Sequence, residues 1–141
     1  MANVVYNKFK SDLLAGSIDF DANTFKVMLV TSAYVADPDH DYRSSITNEV
    51  VGTGYTAGGA ALGTVTVTQD NTANRAKISI SGNVTTWPTA TITARGAVIY
   101  KSTGNAATDV NVGYVDFGAD KTSTAGDFAI NWDATNGILY L

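Results

Sequence analysis

Arg95-Gly-Ala-Val-Ile-Tyr100, Val112-Gly-Tyr-Val-Asp-Phe-Gly118 and Gly126-Asp-Phe-Ala-Ile-Asn-Trp132 follow one another in the last third of the chain. Each is a short run of β-branched and aromatic residues bounded by glycine, asparagine or aspartate, the pattern of strands separated by turns. Phe128, Ile130 and Trp132 alternate with Ala129, Asn131 and Asp133, which predicts one buried face. Asn136-Gly137 predicts a type I′ hairpin turn pairing the Trp132 strand with a closing Ile138–Leu141 strand.

Working outward, the same signals recur at Thr91–Tyr100, Ala76–Ile80, Leu62–Thr68 and Phe25–Thr31. Trp87-Pro88 marks a strand start or an edge, because proline donates nothing to a central ladder. At the front, Val5, Phe9 and Leu13 recur at i, i+4, i+8, broadened by Tyr6 and Leu14. This predicts a helix over 3–15, with Asn3 as its cap and Gly16 ending it. Residues 32–60 carry Asp37-Pro38 and four glycines and read as an irregular region, with a helical turn around Ser44–Val50. The expected fold is mainly β: an antiparallel β-sandwich of about seven strands with one N-terminal helix, in a single domain spanning 1–141.

Composition narrows the chemistry. The 141 residues suffice for one core without staples, and the absence of cysteine removes disulfides and thiolate metal sites. Nine basic residues are scattered among thirteen acidic ones, for a formal charge of −4. A phosphate backbone calls for a concentrated basic patch, so nucleic acid is not an expected partner. No apolar run reaches spanning length and no secretory leader is visible, so a soluble, uncleaved product without a membrane partner is expected. Glu49 is the only glutamate; an acidic set made of aspartate suits turns and caps.

Candidate chemical groups are few. Asp37-Pro-Asp-His-Asp41 resembles the opening of a calcium loop, but Tyr42 stands where glycine is needed and Asn48 where a bidentate glutamate is needed. Any triad would depend on His40, the sole histidine, and no Gly-x-Ser-x-Gly elbow is present. Asp116, Asp127 and Asp133 offer a carboxylate pair in principle, yet each more simply bounds or caps a strand. Gly52-Thr-Gly54 and Gly58-Gly59 lack the Lys-Ser/Thr of a phosphate loop. The expectation is a non-enzyme with no catalytic, cofactor or metal residues. Tyr34, Tyr42 and Tyr55, all within 32–60, are the candidate interface residues, since tyrosine supplies large, amphipathic contact area.

Tyr34-Val-Ala-Asp-Pro-Asp-His-Asp-Tyr-Arg43, Glu49-Val-Val-Gly-Thr-Gly-Tyr-Thr-Ala-Gly-Gly59, Thr91-Ile-Thr-Ala-Arg-Gly-Ala-Val-Ile-Tyr100 and Gly113-Tyr-Val-Asp-Phe-Gly118 carry a resemblance over nearly the whole chain. In order and wording these segments resemble a family of small virion structural proteins of tailed bacteriophages, which have no assigned activity. The resemblance implies a component of a virion assembled in the host cytoplasm, most simply a capsid decoration or accessory protein. Its partners would be capsid or tail subunits or further copies of itself. A tail or tail-fibre part is the alternative location, and a carbohydrate-binding module the alternative of another class. The 32–60 region is the expected docking surface.

Overall fold

The computed structural model describes residues 3–141. Eight antiparallel strands and one α-helix are found among them, in the order β1 (Val4–Val5), α1 (Asn7–Leu14), β2 (Phe25–Val30), β3 (Ala60–Ala61), β4 (Val65–Asp70), β5 (Arg75–Ile80), β6 (Val84–Lys101), β7 (Asn111–Asn131) and β8 (Leu139–Tyr140). Five strands form one sheet in the order β1-β7-β6-β2-β3, and β4-β5-β8 form a second. The main core lies between the sheets, where Val27, Leu29, Ile78, Ile80, Trp87, Ile92, Ile99, Phe128 and Ile130 meet. The expected mainly-β, sandwich-like architecture with an N-terminal helix is what the chain adopts.

The apolar run Phe25–Val30 has its explanation in a second cluster. Val27 and Leu29 face the main core, whereas Met28 and Val30 join Tyr6, Tyr34, Val98, Tyr100 and Tyr114 on the opposite face. A strand's side chains alternate, so an uninterrupted apolar run means burial on both sides. The irregular 32–60 segment supplies the cover: Tyr34 belongs to that cluster, and Ala36 and Ile46 pack against it. Part of the five-stranded sheet is therefore enclosed in three layers. The expected helical turn within this segment is a short 3-10 turn, Arg43–Ser45.

Several expectations need correction. The helix begins at Asn7, not Asn3, because Val4 and Val5 are taken up as β1 against Tyr114 and Gly113 of β7. Tyr6 is the N-cap residue, with no side-chain cap, and Asn3 instead accepts the Asp116 amide through Oδ1. Leu14 does not extend the buried stripe, being 90% exposed. Gly16, at φ +75°, does follow the last turn as expected. The expected strands Val112–Phe117 and Asp127–Trp132 are two parts of one strand, β7, whose polar middle is held by pairing with β6 rather than by an apolar face. Pro88 sits inside β6, where a bulge spans Trp87 to Ala90, a place where its missing N–H is tolerated.

The chain end also differs. β8 pairs with β5, Leu139 against Ile78 and Tyr140 against Lys77, not with the Trp132 strand. A type I′ turn needs positive φ at both central residues, and of Asn136 and Gly137 only Gly137 has it, at +72°. The Asp133 carboxylate instead accepts the Thr135 and Asn136 amides, while Gly137 N donates to the Asp133 carbonyl. That closes a compact turn and sends the terminus across to the other sheet. Glycine is required at 137 because a Cβ there would collide with the Ile78 backbone carbonyl.

Candidate functional site

The chemistry-bearing residues of 32–60 turn inward. Tyr34 is 5% exposed; its hydroxyl lies 2.9 Å from the Tyr6 hydroxyl and 3.0 Å from His40 Nδ1. Burial raises both tyrosine pKa values. Tyr55 is half-buried, donating its hydroxyl to Glu49 Oε1 at 2.8 Å and accepting the Leu29 amide at 2.9 Å. Tyr42 is also half-buried, pairs in the backbone with Val110 and receives Lys8 over its ring at 5.4 Å. The three tyrosines thus fasten the segment to its own sheet. Of the three expected interface residues, Tyr34 is buried and Tyr42 and Tyr55 are half-buried.

The glycine-rich loop is held in the same way. Glu49 Oε1 takes the Gly58 amide at 2.6 Å, and the Gly58 carbonyl accepts the Tyr100 hydroxyl at 2.6 Å. Burial pushes the Tyr100 hydroxyl up to about 12 even though Arg43 stacks over its ring at 5.2 Å. Gly59, at φ +74°, lies directly against the Val27 carbonyl and Met28 Cα, so the sequence signal read as pliability is a signal of close backbone approach. Arg43 Nε reaches Asp109 Oδ2 at 2.7 Å. Burial opposes charge on Asp109, but the Thr103 amide, Arg43 and the Thr103 hydroxyl outweigh it and hold the carboxyl below its ordinary value.

The other carboxylates are engaged locally. Asp37 accepts the Asp39 amide, and Asp39 accepts the Asn7 side chain, so the 37–41 stretch is a turn tied to the start of α1. Among the described residues no three His, Cys, Asp or Glu side chains come together as a metal ion would require. Asp116 pairs with Arg95 Nε at 2.7 Å, which together with the Gly118 amide lowers its pKa. Asp127 accepts the Thr89 amide at 3.3 Å, and Asp133 ties the chain-end turn. Trp87 and Trp132 are buried in the core, away from any surface where they could stack on a sugar ring. Among the described residues no helix is long and apolar enough to cross a membrane.

What the fold leaves open is a strand edge that the sequence did not announce. β7 spans 21 residues, but its outer neighbour β1 pairs only with Gly113 and Tyr114. From Phe117 to Asn131 its outer edge has no strand beside it among the described residues. Next to this edge lies a hollow of about 460 Å³. Every residue lining it belongs to β7, including Phe117, Lys121, Ser123, Asp127, Phe128 and Ile130. A straight strand cannot surround a hollow, and β7 is not straight. Between Ala94 and Gly96 its pairing moves from Lys121 to Asp116, and between Ala90 and Ile92 from Gly126 to Ser123, so extra residues bulge out of the ladder. The Phe117 and Phe128 rings lie 6.2 Å apart, in contact, where eleven extended steps would separate their backbones by roughly 36 Å, so β7 is also bent between them.

Comparison with protein-family models, with curated proteins and with solved structures finds no match for this chain.

Proposed function

We propose that this chain is a non-enzymatic structural component of a bacteriophage particle, a capsid decoration or accessory protein that works by associating with neighbouring subunits. The observation that carries the reading is the outer edge of β7, a long strand whose backbone donors and acceptors are left without a neighbouring strand. Such an edge is a template for another chain, and a repetitive lattice lets modest contacts add up through many copies. The resemblance of the Glu49–Gly59 and Thr91–Tyr100 segments to virion proteins supplies the setting. The inner side of 32–60, the segment expected to dock, is occupied by the protein's own second apolar cluster, so any contact it makes is through its outer side.

Electron cryo-microscopy of purified virions, with the protein quantified by mass spectrometry, tests this. Density on the head lattice in symmetry-related copies is the expected result. A few copies at the tail would assign the alternative location, and absence from the particle would overturn the structural reading.

A further inference from the structure

We infer that Asn136 is a latent deamidation site, held unreactive in the folded chain by Arg75 and Asp133 and released to react when the chain-end turn opens. Asn136-Gly137 is the one Asn-Gly step in the sequence. Such a step cyclises readily, because glycine puts no side chain in the way of its own nitrogen and lets the backbone carry that nitrogen to the asparagine carboxamide. Water is the only co-reactant. The Gly137 nitrogen gives up its proton to solvent base and bonds to Asn136 Cγ. The Cγ–Nδ2 bond breaks, and Nδ2 takes a proton from water and leaves as ammonia. Water then opens the succinimide. Cleavage between Cγ and the Gly137 nitrogen leaves aspartate. Cleavage at the Asn136 main-chain carbonyl leaves isoaspartate, whose backbone is one methylene longer.

In the folded chain each reacting group is engaged elsewhere. Gly137 N donates to the Asp133 carbonyl at 2.8 Å. Asn136 Nδ2 donates to Asp133 Oδ2 at 2.7 Å, and Asn136 Oδ1 accepts Arg75 Nη1 at 2.8 Å. Both ends of the carboxamide are therefore fixed by charged partners, one within the turn and one on β5. Charge-assisted bonds of this kind are the strong ones. A carboxamide held at both ends does not swing its carbon onto a nitrogen whose own hydrogen bond points away.

Arg75 also links the turn to the terminal strand. Its Nε reaches Asp70 at 3.3 Å, its Nη2 the Thr135 carbonyl at 3.2 Å, and its guanidinium lies 4.8 Å from the centre of the Tyr140 ring in β8. Release of β8 from β5 thus loosens the same arginine that holds Asn136. Conversion then bars the way back. Gly137 lies so close to the Ile78 carbonyl that not even a Cβ fits, and Ile138, 0% exposed, bonds that carbonyl at 2.8 Å. An extra backbone methylene between Asn136 and Gly137 displaces both.

The test follows deamidation at Asn136 by mass spectrometry, in the intact protein and in a synthetic peptide of residues 130–141 kept in the same neutral buffer. Trypsin releases residues 122–141 after Lys121, and fragmentation reads Asn136 apart from Asn131. The peptide should react about tenfold or more faster than the protein, whose turn must first open. Arg75→Gln should react about tenfold faster than the parent, as expected for losing a charge-assisted hydrogen bond. Lys77→Gln, which loses a contact to the Thr135 carbonyl at 2.8 Å but leaves the carboxamide held, should react more slowly than Arg75→Gln. Circular dichroism confirms that the variants fold. In the parent protein, deamidation and amide exchange over 137–141 should rise together with urea below the unfolding transition, a reading that needs no variant. Reaction of the folded protein at the peptide's rate, or a rate independent of urea, would overturn the inference. So would equal acceleration in the two variants, or slower reaction in Arg75→Gln than in the parent, because Arg75 would then activate the carboxamide instead of holding it. Every rate is read on the purified protein, so the result stands apart from whether the chain is found in virions.

Discussion

The hydroxyl of Tyr34 lies 2.9 Å from that of Tyr6, joining residues 28 positions apart in a buried contact that continues to His40 Nδ1. It fixes the covering segment to the residue that opens α1, and both rings belong to the second apolar cluster.

The two ends of this contact are unequal. In Tyr34→Phe the Tyr6 hydroxyl, in a residue 0% exposed, keeps no partner, and the expected loss is about 1–3 kcal/mol. In Tyr6→Phe the Tyr34 hydroxyl still has His40, and the loss should be nearer 0.5–1.5 kcal/mol. Urea denaturation of both variants measures the difference; equal losses would mean that the hydroxyl contact does not carry the effect.

Asp109 couples stability to acid. Its carboxyl is held below the ordinary value of 3.8, so its contribution is present above that pH and is lost as pH falls through the lower folded value. Asp109→Ala should cost about 2–4 kcal/mol at neutral pH, because Arg43 and the Thr103 amide lose a buried acceptor. Thermal unfolding from pH 7 down to about 2 should show a shallower acid limb in the variant than in the parent protein.

Two glycines with nearly equal φ, +75° at Gly16 and +74° at Gly59, should respond differently. Gly16→Ala meets open space and costs only the left-handed conformation, about 1–2 kcal/mol. Gly59→Ala adds a collision with the Val27 backbone and should displace the covering segment from the sheet. Near-ultraviolet circular dichroism, sensitive to the packing of Tyr34, Tyr55 and Tyr100, should change for Gly59→Ala and not for Gly16→Ala.

The tryptophans make a matched pair. Trp132 Nε1 donates to the buried Thr85 hydroxyl at 2.9 Å, whereas Trp87 Nε1 is buried with no protein partner. Replacing each with phenylalanine removes similar apolar area, but Trp132→Phe also strands Thr85. It should cost about 1 kcal/mol more than Trp87→Phe in chemical denaturation.

The legible parts of this protein are those where a local pattern has one structural outcome. Alternation in Phe128–Trp132, the apolar run Phe25–Val30 and the recurrence of Phe9 and Leu13 led to strands and a helix in their observed places. Strand and helix periods are set by backbone geometry, so a short window suffices to read them. The aspartate-rich turns were legible for the same reason, since an Asp133-type carboxylate bonds amides only two or three residues away.

Everything that depended on a distant partner was not legible. The polar stretch Gly118–Gly126 looks like a loop, yet pairing with β6 makes it strand, because ladder hydrogen bonds need no apolar side chains. Tyr34 and Tyr55 looked like surface residues until Tyr6, His40 and Glu49 supplied partners for their hydroxyls. Asn136-Gly137 promised a hairpin, but β5 captured the terminal strand. Composition and periodicity determined that this chain is an antiparallel β protein with an N-terminal helix. Only the tertiary structure decided which edges stay open, that of β7 among them, because an unpaired edge is defined by the strands that fail to arrive beside it, and no residue of β7 records that.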